Sequence, residues 1–114
     1  MEISNSLLFN EGFTNALNSL LNIKLPITTS LDIANCIQDV ENQRVVVYKV
    51  RDGILKRRNE DTSEEVKAET TNSLNEMFNE KFELSIESKI KLPKSTEISV
   101  KDVLVLIDII ESEE

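Results

Sequence analysis

Carboxylates are the most abundant side chains in this sequence that could do chemistry, and histidine is absent. Without imidazole there is no histidine metal ligand and no Ser/His or Cys/His catalytic pair. The one cysteine, Cys36, could be a nucleophile, but it has no histidine partner and lies on the apolar stripe of a predicted helix. We interpret Cys36 as a small buried core residue in a protein of a reducing compartment.

The sequence also gives little support for a phosphate-binding or metal-binding site. The chain has only two glycines, so neither common phosphate-cradling loop can form. Either of two groups of carboxylates could be imagined around a hard cation, but neither has calcium-loop spacing: Glu76, Glu80 and Glu83, or Asp102 and Asp108. The sequence therefore predicts no catalytic, cofactor-binding or metal-binding residue, no cofactor, and a protein that is not an enzyme.

The net charge of −8 is concentrated in the second half of the chain. Residues 1–58 contain seven Lys or Arg and six Asp or Glu, whereas residues 59–114 contain six and fifteen. Such a surface repels phosphate backbones, which argues against direct nucleic-acid binding, and it attracts basic partners. No apolar run approaches the length of a membrane span, and the N-terminus does not resemble a signal peptide.

The longest predicted element is a helix over residues 29–58. Apolar residues recur there every seven positions, and Thr29 with Asp32 could close its first turn. The recurring residues are Ile33, Val40, Val47 and Ile54. A β-hairpin over 45–58 is the alternative, because residues 45–48 favour strands and Asp52-Gly53 favours a turn. The seven-residue spacing extends beyond both ends of that segment, which favours the helix.

Three other helices and a short β-segment are predicted around this long helix. The helices cover residues 11–22, 63–80 and 99–111, with cap signals at Asn10, Thr62 and Ser99. Residues 82–92 alternate between apolar and polar, as a half-buried strand does, with Ser88 as a break between two shorter strands. This segment needs a partner: a hairpin mate, the residues around 3–8, or another chain.

The predicted fold class is α+β, mostly α, in a single domain covering residues 1–114. The first three helices are expected to form an antiparallel bundle around the long central helix, with the short β-segment and the C-terminal helix packed on it. In that arrangement, acidic residues of the third helix would pair with the basic end of the long helix. The expected pairs bring Glu60, Glu64 and Glu65 near Arg57 and Arg58, and Glu69 and Glu76 near Arg51 and Arg44.

This order of elements resembles that of a family of short, uncharacterised proteins of tailed bacteriophages. The most specific part of the resemblance is residues 17–28, which lead into the long helix, followed by residues 98–111. The run 45–48 departs from the pattern, because a more charged helical stretch would be expected there. The resemblance implies a phage or prophage origin and carries over no functional residue.

The C-terminal helix is apolar around most of its circumference, which is typical of a helix buried between elements or at a subunit contact. We expect one face of it to pack on the core and the other to bind a partner. The predicted core face is Val100, Val103, Leu104, Ile107 and Ile110. The predicted partner-binding residues are Val105, Leu106 and Ile109 of this helix and Glu83 and Glu87 of the strand.

The function predicted from the sequence is a non-enzymatic protein–protein interaction module, acting in virion assembly or as an accessory factor. Its partner would be a second copy of the chain or a phage or host protein, met in the reducing host cytoplasm or in the virion and away from membranes. The alternative is an acidic inhibitor of a host defence protein that occupies a basic nucleic-acid-binding cleft.

Overall fold

The computed structural model describes residues 1–113, and most of this range is helical. The helices are α1 (Glu11–Ser19), α2 (Ile27–Glu60), α3 (Glu64–Asn79) and α4 (Val100–Leu106). The strands are β1 (Glu2–Ser4), β2 (Lys81–Glu83), β3 (Ile90–Leu92) and β4 (Ile110–Ser112). Short 3₁₀ turns cover Asn5–Phe9 and Leu20–Asn22. The predicted class, α+β and mostly α, is confirmed.

Helix α2 is continuous for 34 residues, which corresponds to roughly 51 Å. The alternative hairpin over 45–58 is therefore wrong. The stripe that holds the helix in place is apolar and buried: Ile33, Cys36, Val40 and Val47. The helix begins two residues before the predicted cap, after Pro26, and no side chain caps it. Proline at that point is compatible with a helix start because the first amides have no partner within the helix.

Helix α3 turns back along the C-terminal half of α2. Ser63 caps it by accepting a hydrogen bond from the Val66 amide at 3.3 Å, so the cap predicted at Thr62 is displaced by one residue. Arg57 pairs with Glu69 towards one end of the hairpin, and Gln43 reaches Met77 through Asn5 at the other. The two helices are therefore antiparallel.

The Arg57–Glu69 pair was not predicted, and within residues 1–113 none of the predicted ion pairs forms. Arg44 bonds to Glu41 and Thr14, and Arg51 pairs with Asp52 at 3.2 Å. Glu60 and Glu64 are paired with lysines of their own helices, Lys56 and Lys67. A partner within one turn needs less side-chain ordering than one on another helix, which explains the preference.

The segment predicted over 82–92 forms two shorter strands, β2 and β3, as the break at Ser88 indicated, and each belongs to a separate two-stranded sheet. β1 pairs antiparallel with β2, with Ile3 opposite Phe82, which confirms the segment around Ile3 as the partner. Between β2 and β3 the chain is held against α2, where the Asp39 carboxylate accepts hydrogen bonds from the amide and hydroxyl of Ser85 at 2.7 and 3.0 Å. The alternation of residues 84–87 thus reflects burial of Leu84 and Ile86 without a strand partner.

The C-terminal helix is shorter than predicted, ending at Leu106 rather than near 111. Residues Ile110–Ser112 instead form β4, which pairs parallel with β3, and the Glu113 amide donates to the Leu92 carbonyl at 2.8 Å. A strand there removes the unfavourable acidic helix C-terminus and buries Ile110. Glu114 lies outside the described residues.

The helices pack in two pairs. α3 contacts the C-terminal half of α2, while α1 packs chiefly against α4. These contacts define a helical hairpin of α2 and α3 and a second pair beside it, and the predicted bundle of the first three helices is not confirmed. The molecule is elongated, with principal extents of 56 × 24 × 21 Å, because α2 runs the length of both pairs.

Cys36 is fully buried in the core, as predicted. Burial raises the pKa of the thiol to about 12, and the carboxylates of Asp39 and Asp32 add to the rise. We expect a disulfide-exchange reagent at about pH 8 to leave native Cys36 unmodified and to label it only in concentrated urea, because the thiolate is the reacting form. Labelling of the native protein at the unfolded rate would contradict this burial.

The same pKa shift makes the free energy of unfolding depend on pH. An unfolded thiol loses its proton near 9.0, whereas the native one keeps it to about 12. The unfolded state therefore binds fewer protons in that interval, and the free energy of unfolding should fall as the pH rises through it.

Candidate interaction surface

The orientation of α4 is fixed at its start and by its contact with α1. Ser99 caps the helix by accepting a hydrogen bond from the Asp102 amide at 3.2 Å. α4 packs chiefly against α1, where Val105 lies beside Gly12. Val105 packs against the core cluster to which Leu106 belongs.

The three apolar residues predicted to bind a partner face inwards. Leu106 and Ile109 are 0% and 1% exposed, and Val105 is half-buried against the core. The prediction is therefore wrong for Leu106 and Ile109, because side chains without accessible surface cannot contact another molecule, whereas for Val105 it stays a prediction. Glu83 and Glu87 are exposed, and Glu83 accepts a hydrogen bond from the N-terminal amine of Met1 at 3.2 Å.

The apolar residues of this segment that do reach the surface belong to the predicted core face. Val100, Leu104 and Ile107 are between 52% and 76% exposed. Their spacing of four and three residues places them close together on one side of the helix. The sequence contained no signal for this choice, because both faces of the segment are equally apolar.

A cleft of about 390 Å³ continues this apolar face towards the sheet of β3 and β4. Ile107 belongs to both the exposed face and the cleft, so the two form one surface. The other apolar residues lining the cleft are Leu92, Pro93, Ile98, Val103 and Ile110. We call this the α4 surface: Val100, Leu104 and Ile107 together with the cleft.

Charged residues of both signs lie in or beside the α4 surface. Lys89, Lys94 and Glu111 line the cleft. The helix itself carries Lys101 and Asp102, and Glu97 and Asp108 flank it in the sequence. A surface of this kind does not select a partner of either net charge.

Within residues 1–113, no group of three or more His, Cys, Asp or Glu side chains converges as a metal site would require. None of the helices in the same range has the length and apolar character needed to cross a membrane. Comparisons with protein-family models, curated proteins and solved structures gave no match for this chain.

Proposed function

We propose that this protein is a non-enzymatic interaction module that associates through the α4 surface. The supporting observation is the row of exposed aliphatic side chains Val100, Leu104 and Ile107 beside an apolar cleft. Burying one such side chain completely contributes about 1.5–3 kcal/mol. An apolar row continuous with a cleft is the type of surface that marks a contact with another protein.

The partner that best fits this surface is a second copy of the chain. In a dimer with twofold symmetry the same patch lies on both sides, so the patch must be complementary to itself. The mixed charges around the α4 surface meet that condition, since each lysine can lie opposite an acidic residue of the other copy. A patch of uniformly acidic side chains would not.

The biological setting we propose is a phage or prophage protein, acting in virion assembly or as an accessory factor in the host cytoplasm. The support for this setting is the resemblance in residues 17–28 and 98–111. Self-association through a small apolar surface is compatible with either role.

Replacing Leu104 with glutamate should dissociate the dimer, because each interface would then bury two charges without partners. Multi-angle light scattering at tens of micromolar should give twice the chain mass of 13.0 kDa for the parent protein and a single chain mass for Leu104→Glu. Val45→Glu on α2 is the matched control, since Val45 is 57% exposed and belongs to α2, not to the α4 surface. A monomeric parent protein, or dissociation by both variants, would contradict the proposal.

The alternative role, an acidic inhibitor of a basic nucleic-acid-binding cleft, has one specific observation in its favour. Glu65, Glu69, Glu76 and Glu80 recur on α3 at spacings of four, seven and four, which places them along one side of the helix. Only Glu69 of these is paired with the basic end of α2. This role requires binding that weakens steeply with salt and does not depend on Leu104.

A further inference from the structure

The hairpin of α2 and α3 has a groove on one side, separate from the α4 surface. Its apolar part consists of Val46 and Val50, which are 55% and 48% exposed, together with Ile54 and the buried Met77. The groove has a volume of about 370 Å³. Its polar lining comes from both helices and from the N-terminal segment: Asn5, Gln43, Ser73, Glu76 and Glu80.

The groove is suited in length to a short helix. It is lined on α2 from Gln43 to Ile54, a distance of roughly 16 Å, or three helical turns. Val46, Val50 and Ile54 recur every four residues, so they form a continuous row along it. Apolar side chains at positions i, i+4 and i+7 of a docked helix would meet such a row.

The floor of the groove is held in place before any partner arrives. The buried Asn5 side chain donates to the Met77 carbonyl at 2.9 Å and accepts from the Gln43 side chain at 3.1 Å. These bonds connect α3, the N-terminal segment and α2. A groove that is already formed lowers the ordering cost of binding.

The charge of the groove indicates the kind of partner. Glu76 and Glu80 lie on its α3 side, both are exposed, and neither has an ion-pair partner within residues 1–113. An occupant that brings lysine or arginine to these carboxylates gains electrostatic complementarity. A nucleic acid would be repelled, and a second copy of this groove would oppose glutamate to glutamate.

We propose that the α2–α3 groove binds an amphipathic helix of another protein, one whose apolar row is flanked by lysine or arginine. The apolar row covers Val46 and Val50, and the basic flank lies against Glu76 and Glu80. This partner is distinct from the second copy proposed for the α4 surface, so one chain can engage both.

The test uses synthetic helical peptides of about fourteen residues and the intact protein. The first peptide has leucines at helical spacing with a lysine flank, the second has the same composition with the leucines scrambled, and the third has glutamate in place of lysine. Fluorescence anisotropy at several salt concentrations gives the affinities. We expect the first peptide to bind at least tenfold more tightly than either of the others.

Two groups of variants locate the site. Val50→Glu should weaken binding of the first peptide by roughly tenfold or more, and Glu76→Gln with Glu80→Gln should weaken it and reduce its salt dependence. Val45→Glu should leave the affinity unchanged, and circular dichroism should show equal helix content in all variants. Leu104→Glu should also bind normally, so failure of the dimer proposal would leave this one intact.

Three results would overturn the proposal. One is no binding of the lysine-flanked peptide at millimolar concentration. Another is equal affinity for the scrambled peptide, which would mean that the acidic side of α3 merely attracts positive charge, as the inhibitor alternative requires. The last is an unchanged affinity in Val50→Glu and in the double glutamine variant.

Discussion

Replacing Leu106 with alanine should lower the free energy of unfolding by about 2–5 kcal/mol. Leu106 is fully buried where α4 meets the core, so the substitution removes apolar contacts and leaves a cavity. Leu104→Ala, two residues earlier on the same helix, should change the free energy of unfolding by no more than about 0.5 kcal/mol, because its side chain is largely exposed. Urea denaturation followed by circular dichroism measures both values.

The comparison of Leu106→Ala with Leu104→Ala tests which face of α4 is exposed. Because dimer formation adds to apparent stability, the titrations should be repeated at several protein concentrations and extrapolated to the monomer. The opposite result, a stable Leu106→Ala and a strongly destabilised Leu104→Ala, would mean that the helix is rotated with respect to this structure. The proposed α4 surface would then be part of the core.

The orientation of α4 about its own axis could not be predicted from the sequence. The apolar spacing of residues 100–110 correctly predicts a helix that begins at Val100, although the helix ends at Leu106, and it indicates that two of its sides are apolar. The choice between those sides is made by packing against α1, where Val105 lies beside Gly12. That contact joins residues far apart in the sequence, so no local pattern contains it.

The long helix was predicted well because its signal is repeated. Four apolar residues at seven-residue spacing outweigh the strand preference of residues 45–48, and the buried stripe of α2 includes Val47 itself. A glycine at position 53 costs about 1 kcal/mol in a helix interior, which the rest of a 34-residue helix can compensate. Its exact start was predicted less well, because Pro26 and Thr29 are both acceptable first-turn residues.

The strands were predicted least accurately because each is only three residues long. Residues 82–92 alternate along their whole length, but a ladder forms only at the two ends, where β1 and β4 supply partners. β4 was interpreted as helix because Ile107 and Ile110 continue the helical spacing. Pairing with β3 overrides that spacing, since it satisfies backbone groups and buries Ile110 at the same time.

The α2–α3 groove and its acidic side could not be predicted from the sequence either. The sequence showed Val46 and Val50 as apolar and Glu76 and Glu80 as acidic, but it did not show that they line the same groove. Their proximity depends on the register of α3 against α2. That register is set by the Arg57–Glu69 pair and by the bonds of Asn5, of which neither was predicted.

Asn5→Ala should lower the free energy of unfolding by about 1–3 kcal/mol, because it leaves buried groups on two helices without their partners. The Asn5 side chain bonds to the Met77 carbonyl and to the Gln43 side chain, and alanine removes both bonds. The backbone N–H of residue 5, which alanine keeps, donates to the Glu80 carbonyl at 2.8 Å. These bonds to the C-terminal carbonyls of α3 satisfy acceptors that a helix end leaves free. Asn72→Ala, at an exposed position of α3, is the control and should change the value by no more than about 0.5 kcal/mol.

Asn5→Asp should be more destabilising than Asn5→Ala at neutral pH, because it places a buried negative charge beside the carbonyl end of α3. We expect burial and those carbonyls to disfavour the charged form of the introduced carboxyl in the folded state, so the folded state should take up a proton more readily than the unfolded state. The loss in free energy of unfolding of Asn5→Asp relative to the parent protein should therefore become smaller as the pH falls. Urea titrations at pH values from about 7 to 4 measure this loss.

Equal stability of Asn5→Ala and Asn72→Ala would mean that the Asn5 side chain does not join the two helices. The preformed floor of the α2–α3 groove would then lose its support.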